Sequence, residues 1–180
     1  SLHNYLTTHA FAGATSDDLR QAVLAATGEN LDWFWDEWVY AAGYPKLVVT
    51  SSYDAGHQQV TLRVQQTQLD SFKVDSTDRL FRVPQAFRMP IDVRIHSAAG
   101  DLVQRVELRG RDQSIVIDHV AAAPDMVIFD AGNRLLKSLT FDQPVTWLAN
   151  ELARDPDLWD RQWAIEQLAR HGTDSDAVAA

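Results

Sequence analysis

The chain has 180 residues, 46% of them hydrophobic, so it is long enough to bury a core as one or two domains. Its 16 basic and 25 acidic residues give a formal net charge of -9, which opposes binding to nucleic-acid phosphates and to anionic lipid surfaces. We therefore expect no nucleic acid and no membrane among its partners. The absence of cysteine excludes disulfide bonds, thiolate catalysis and cysteine-bound metal.

The sequence does not identify the cellular compartment of the protein. No run of about 18 apolar residues is present, and the first four residues do not form a basic, signal-like opening. These features predict a soluble protein. They do not choose between the cytoplasm and the periplasm, because a chain without cysteine suits both.

Three short helices are predicted in residues 1–44. The first has apolar residues at helical spacing over residues 2–9, and the second begins at Ser16 and ends at Gly28. The third begins after Asn30, which can cap its first turn. It has an apolar stripe, formed by Leu31, Phe34, Trp35, Trp38 and Ala42.

The hydrophobic period changes from helical to strand-like at Gly43. Gly43 can adopt the left-handed conformation that ends a helix, and Tyr44 precedes Pro45, which disfavours helical geometry. The branched residues at 47–50 prefer an extended chain. A helical unit therefore gives way to a β unit here, without a linker.

An antiparallel β-sandwich of about seven strands is predicted for the middle of the chain. Short alternating runs separated by turn signals occur at residues 48–53, 59–66, 91–95, 102–108, 114–117 and 126–129, with a less regular segment at 67–84. After Asp142 the period is helical again. It is interrupted at Asp155-Pro156, which predicts two antiparallel helices that start an α-helical, HEAT-like solenoid. Residues 173–180 are expected to fray.

Two groups of aromatic and charged residues could carry a function. The tryptophan stripe could line a ligand cage, but we interpret it as packing against a domain that this chain lacks. His9 could form an acid–base pair with Asp17 or Asp18. We prefer a structural role, since histidines commonly end short helices near acidic caps.

Two polar groups in the β unit invite similar hypotheses. Ser114, Asp118 and His119 could form a hydrolase triad, but side chains alternate along a strand and no nucleophile elbow is present, so we discard the triad. Gln66 and Gln68 could bind a peptide edge, and a solvated strand face explains them equally well.

The order of these patterns resembles the end of the catalytic domain of the M1 zinc metallopeptidases, the aminopeptidase N-like family. In that family a helical subdomain ends at a glycine, an aromatic or aliphatic residue and a proline, and a β-sandwich comes next. The matching residues are Tyr5-Leu6, His9-Ala10-Phe11, Ala14-Thr15, Asp18-Leu19, Thr27-Gly28, Leu31, Trp35, Trp38, Gly43-Tyr44-Pro45, Leu47-Val48-Val49, Val60-Thr61-Leu62, Gln66-Thr67-Gln68, Phe81, Val83-Pro84, Phe129-Asp130, Leu135-Leu136, Leu139-Thr140-Phe141, Arg161, Ala164 and Leu168. Gly13 departs from the family, which often has asparagine there.

The resemblance implies an α+β fold in three parts. Residues 1–44 would be the helical end of the thermolysin-like catalytic domain, 45–142 the β-sandwich domain, and 143–180 the first helices of the C-terminal α-helical domain. The family binds zinc through H-E-x-x-H and a downstream glutamate, and grips the substrate amino terminus with G-x-M-E-N. Neither motif occurs here, and the six histidines are scattered. We expect no catalytic, cofactor-binding or metal-binding residue in this chain.

The implied function is that of a non-catalytic portion of an M1-type zinc aminopeptidase, a structural spacer between the catalytic and C-terminal domains. The parent would hydrolyse N-terminal residues from peptides with zinc as its cofactor, while this portion alone would be inactive. The expected partner is the remainder of the parent chain, with self-association through an exposed helical face also expected. The alternative is a non-catalytic M1-like scaffold or interaction module. A carbohydrate-binding sandwich is a weaker third hypothesis.

Overall fold

The computed structural model describes residues 2–74 and 79–172, and the chain divides into two compact units. One unit comprises residues 1–43 and 69–84, and the other comprises residues 44–68 and 85–180. The helices are α1 (Leu2–Thr8), α2 (Ser16–Thr27), α3 (Asp32–Phe34), α4 (Val145–Arg154) and α5 (Leu158–Arg170), with a π-helical turn at Trp35–Val39. The strands are β1 (Lys46–Asp54), β2 (Gln59–Gln66), β3 (Ser71–Val74), β4 (Arg79–Arg82), β5 (Met89–Ser97), β6 (Gly100–Leu108), β7 (Asp112–Ile117), β8 (Pro124–Phe129) and β9 (Ser138–Phe141). The division into domains 1–44, 45–142 and 143–180 stays a prediction.

The predicted bounds of helix α2 are confirmed, because local capping determines both of its ends. Thr15 and Asp18 form a capping box, in which the Thr15 amide donates to the Asp18 carboxylate at 2.8 Å and the Asp18 amide donates to the Thr15 hydroxyl at 3.3 Å. At the other end Gly28 is left-handed, with a φ of 73°, and its amide donates to the Leu24 carbonyl. None of the helices in the described ranges is both long and apolar enough to traverse a bilayer.

The third helix departs from the regular helix that was predicted. The Tyr40 amide donates to the Trp35 carbonyl at 2.9 Å, five residues back, so the chain makes a π turn and leaves the helix at Val39. Trp35 is buried and its Nε1 donates to the Ser16 carbonyl at 3.1 Å, whereas Phe34 is 38% exposed. The regular helix that was predicted is therefore wrong at residues 35–39, where a wider turn changes which side chains share a face. The packing of the apolar stripe against a further domain stays a prediction.

Strands β3 and β4 form a separate hairpin that belongs to the same compact unit as α1–α3. The rings of Phe72 and Phe81 stack across the hairpin with centroids 5.5 Å apart. The Ala42 amide donates to the Arg82 carbonyl at 3.2 Å. A Cβ on Gly43, whose φ is 83°, would lie 3.0 Å from a Val83 methyl group, so both conformation and space require glycine there.

The sandwich has seven strands, which agrees with the predicted number. A four-stranded sheet in the order β7-β2-β1-β9 and a three-stranded sheet in the order β6-β5-β8 each turn an apolar face to the core of the second unit. One feature corrects the prediction of an antiparallel sandwich, since β9 pairs parallel to β1. Strand β9 was not among the predicted strands, and the irregular segment at 67–84 provides the hairpin outside these two sheets.

Two buried glutamines close one end of the sandwich. Gln66 Nε2 donates to the carbonyls of Phe87 and Gly110, at 2.8 and 3.2 Å, and Gln66 Oε1 accepts from the Phe87 amide at 2.8 Å. Gln68 Oε1 accepts from the Lys46 amide at 3.2 Å, and its Nε2 donates to Gln66. Both side chains are at most 3% exposed. They satisfy backbone groups that the strand ladders leave unpaired.

We predict that Gln66→Ala lowers the free energy of unfolding by about 3 kcal/mol, because the buried Phe87 amide loses its acceptor and a cavity forms. The matched control is Gln65→Ala on the exposed face of the same strand, where the side chain donates to Asp112 at 2.8 Å. Its effect should stay within about 0.5 kcal/mol. Urea unfolding of both variants measures the difference, and equal losses would contradict the role of Gln66.

Candidate functional site

The second face of strand β5 places charged side chains beneath the terminal helices. Val93 and Ile95 lie in the core, opposite Phe129 and Val127 of β8. The intervening Arg94 is opposite Ile128, so it belongs to the other face of the sheet. Helix α4 contacts β8, and the terminal helices therefore cover the polar face of β5.

Arg94 joins this sheet to the turn between α4 and α5. Its Nη1 donates to Asp155 Oδ2 at 2.6 Å and lies 3.9 Å from Asp160 Oδ2. The Asp155 side chain is fully buried and comes directly after α4, and its other oxygen accepts from the Asp157 amide at 2.7 Å. Asp155 thus ends one helix, supports the start of the next and binds the sheet.

Asp160 in the first turn of α5 binds the loop between β8 and β9. Both of its carboxylate oxygens accept from the Gly132 amide at 2.8 Å. Gly132 has a φ of 83°, and a Cβ there would lie 3.3 Å from Arg134 Nε and 3.4 Å from Asp157 Oδ2. The loop can present this amide to the helix only with glycine at position 132.

Glu151 on α4 completes a group that we call the junction network: Arg94, Gly132, Glu151, Asp155 and Asp160. Glu151 is 1% exposed, and neither of its carboxylate oxygens has a hydrogen-bond partner among the described residues. It lines a cavity of about 20 Å³ together with Asp160 and Trp163. The network holds three acids against one guanidinium.

Burial and mutual repulsion shift the titration of two of these acids. Burial, and then the charges of Asp160 and Asp155, raise the pKa of Glu151 to about 9, although the charge of Arg94 acts in the opposite direction. Burial also raises the pKa of Asp160 to about 6, against the effect of its hydrogen bond with Gly132. Glu151 is therefore neutral at pH 7 in the folded protein.

Three further polar contacts lie near the junction network. His96 Nδ1 and Asp125 Oδ1 lie 2.5 Å apart, and Arg154 of α4 reaches the other oxygen of Asp125 at 3.1 Å. Lys137 donates to Asp130 in the loop between β8 and β9, and both side chains are buried. Asp130 and Lys137 therefore pair with each other beside the cavity.

The junction network contains three carboxyl groups and one guanidinium, and its ion pair and hydrogen bonds join the terminal helices to the sandwich. Across residues 2–74 and 79–172, no group of three or more histidine, aspartate or glutamate side chains is placed to hold a metal ion. The donor set therefore does not fit a zinc site.

The residues that the sequence singled out lie elsewhere. Asp18 is held in its capping box and Asp17 lies 2.7 Å from Arg20, and no hydrogen bond or salt bridge joins either carboxylate to His9 among the described residues. Hydrogen bonds from Thr15, and to a smaller extent the charge of His9, lower the pKa of Asp18. Gln66 and Gln68 are buried, so both the solvated face and the peptide edge are wrong for them.

The discarded triad is not assembled. Asp118 accepts from Gln59 at 2.7 Å, and no hydrogen bond joins Ser114 to His119 in the described part of the chain. The prediction that this chain carries no catalytic residue remains a prediction.

Sequence reasoning missed the junction network because its members are far apart in the chain. Asp155 was interpreted only as part of the break between two helices, and Arg94 was not singled out. A signal was present in Glu151, which lies on the same helix face as Leu148, at i+3, and has Asp155 at i+4. An acid in line with an apolar face indicates a buried carboxyl.

The comparisons with known proteins agree with this architecture. The fold is similar to a crystal structure of Legionella pneumophila aminopeptidase A in complex with aspartic acid, with a TM-score of 0.71 and 14% identity over 92% of this chain. The sequence is similar to a puromycin-sensitive aminopeptidase of Caenorhabditis elegans, with 24% identity over 120 residues, or 67% of this chain. The chain resembles part of an aminopeptidase.

The match covers a small share of each relative. The chain spans 12% of the nematode protein and 18% of the Legionella chain. No protein-family model matches it. The resemblance to aminopeptidases that was drawn from the sequence is confirmed, and the Legionella structure establishes likeness of fold alone.

We predict that Arg94→Met lowers the free energy of unfolding by about 3 kcal/mol, because it leaves the buried Asp155 carboxylate without its partner. Arg105→Met is the control, since Arg105 is an exposed arginine on β6 that lies 3.7 Å from Asp92. An exposed pair contributes about 0.5 kcal/mol. Urea unfolding followed by circular dichroism gives both values, and a loss for Arg94→Met no larger than the control would refute the role of the pair.

Proposed function

We propose that this chain is a non-catalytic portion of an M1-type zinc aminopeptidase, in which it is a structural spacer between the catalytic domain and a C-terminal helical domain. The observation that carries the spacer role is the junction network, which fastens α4 and α5 to the sandwich through a buried ion pair. The order of helices, sandwich and helices, and the similarity to two aminopeptidases, support the choice of parent.

The remainder of the parent chain is the proposed partner of the N-terminal helices. Neither α1 nor α2 has a buried residue. Their unit exposes large apolar side chains, among them Leu2, Leu6, Phe11, Val39 and Tyr40. Compact monomers rarely expose so many neighbouring apolar groups. A catalytic domain packed on these helices would cover them, and self-association of the isolated chain would cover them artificially.

In this proposal the zinc is bound by the catalytic domain of the parent protein and not by this chain. The H-E-x-x-H motif is absent from the sequence, which supports placing the zinc outside this chain. The metal ligands, the catalytic base and the groups that bind the peptide amino terminus would all lie in the catalytic domain. This chain would contribute position and rigidity.

We predict that the 180-residue chain shows no hydrolysis of aminoacyl arylamides, with or without added zinc, whereas the full-length parent hydrolyses them and loses activity to a chelator. Hydrolysis by the zinc-loaded 180-residue chain would overturn the proposal. An inactive, correctly folded parent without bound zinc would instead favour the alternative of a non-catalytic M1-like scaffold.

The spacer role has a separate test in the full-length parent. Arg94→Met should loosen α4 and α5 and lower kcat/KM several-fold at a temperature where the protein stays folded, with an unchanged zinc content. Arg105→Met is again the control and should leave kcat/KM within about twofold, because its exposed ion pair contributes little. If hydrogen exchange shows loosened helices while kcat/KM stays at the wild-type value, the sandwich does not act as a spacer.

A further inference from the structure

Glu151 occupies a position that the spacer role does not require. Its side chain lines a small cavity that is also lined by Asn133 of the β8–β9 loop and by Trp163 of α5. Neither carboxylate oxygen bonds to another described residue, although the side chain is almost fully buried. A buried, unpartnered carboxyl is rare in native proteins because it loses the hydration that it has in water.

The charges around Glu151 come from every element packed on it. Asp160 of α5 and Asp155 after α4 are acidic, and Arg94 of β5 is the basic group that faces them. Asp130 and Lys137, which also line the cavity, bind each other. An ionised Glu151 would therefore be a third negative charge beside a single guanidinium that Asp155 already holds.

The size of the cavity limits what can lie beside the carboxyl. A volume of about 20 Å³ has room for about one water molecule and for no organic ligand. A protonated Glu151 can donate its hydroxyl hydrogen to such a water, and its carbonyl oxygen can accept from it. The cavity thus suits a neutral acid with one internal water.

We propose that Glu151 is a neutral carboxyl in the folded protein and makes the junction network pH-sensitive. Its ionisation releases α4 and α5 from the sandwich. The released proton goes to solvent, and the new carboxylate is repelled by Asp155 and Asp160. This inference concerns the folding of the chain itself and does not depend on the proposed aminopeptidase parent.

The direction of the pH effect is set by linkage. The pKa of Glu151 is raised from an ordinary value of 4.5 to about 9, so between these values the folded protein holds a proton that the unfolded chain has lost. The stabilisation is complete below about pH 4.5 and is lost as the pH rises towards 9. Asp160, with a pKa raised to about 6, adds to the loss only in the acidic part of this range. One such proton changes the folded-to-unfolded ratio by up to about tenfold per pH unit.

The test compares Glu151→Gln with the wild type in urea unfolding between about pH 5.5 and 8.5. The amide is neutral at every pH. Over this range the folded-to-unfolded ratio of the wild type should therefore fall at least about 100-fold more than that of the variant. Glu166→Gln replaces an exposed carboxyl on α5 by the same amide and should keep the wild-type profile. In hydrogen exchange, α4 and α5 of the wild type should lose protection at the alkaline end of the range before the strands do. A Glu151→Gln profile parallel to that of the wild type would overturn the proposal.

A second measurement on the wild type remains informative if Glu151→Gln does not fold. The carbon-13 chemical shift of the Glu151 carboxyl should titrate above about pH 7.5, and titration near its ordinary value of 4.5 would overturn the proposal. Urea unfolding at alkaline pH in two salts distinguishes a neutral Glu151 from a cation bound to an ionised Glu151. If sodium chloride stabilised the protein and choline chloride did not, the cavity would hold a sodium ion, and the proposal would be overturned.

Discussion

The buried carboxylate of Asp155 constrains the position of both terminal helices. A fully buried charge costs several kcal/mol unless an opposite charge and hydrogen bonds surround it. Arg94 supplies that charge from β5, at 2.6 Å, and the amide of Asp157 supplies a further hydrogen bond. Helices α4 and α5 can therefore lie only where the turn between them meets Arg94. The fixed turn then brings Asp160 to the Gly132 amide and Glu151 to its cavity.

Strand β5 serves two surfaces through the alternation of its side chains. Ile91, Val93 and Ile95 fill the core of the sandwich, while Arg94 and His96 bind acidic groups on the opposite face. The same alternation in an ordinary half-exposed strand would place these polar groups in water. Here the terminal helices cover part of that face, so the Arg94 and His96 side chains are half-buried. The ion pairs give the helices one orientation, which non-directional apolar contact alone would not specify.

The two compact units differ in how much of their apolar surface they bury. The unit that contains the sandwich buries a large apolar core between its sheets and pairs most of its buried charges, although Leu158, Trp159 and Ile165 of α5 are exposed. The unit that contains α1–α3 buries one tryptophan of its helices and leaves large apolar side chains exposed. This contrast is the physical basis for proposing that the first unit packs against a further domain and that the second fixes the geometry of the C-terminal helices. The small share of each aminopeptidase that the chain spans agrees with that arrangement.

The sequence by itself determined the features that depend on neighbouring residues. The cap of α2 at Thr15, its end at Gly28, the left-handed Gly43 and the seven-strand sandwich all arise from signals within a few positions, and the structure has them. The resemblance to aminopeptidases rested on the order of these features. The tertiary structure alone decided the π turn at Trp35, the parallel pairing of β9, the burial of Gln66 and the junction network. The pairing of β9, the burial of Gln66 and the junction network each depend on groups that lie far apart in the chain, such as Arg94 and Asp155. Local propensity and periodicity contain no information about which distant charge or carbonyl a side chain will meet, and that meeting sets whether a polar residue is solvated or buried.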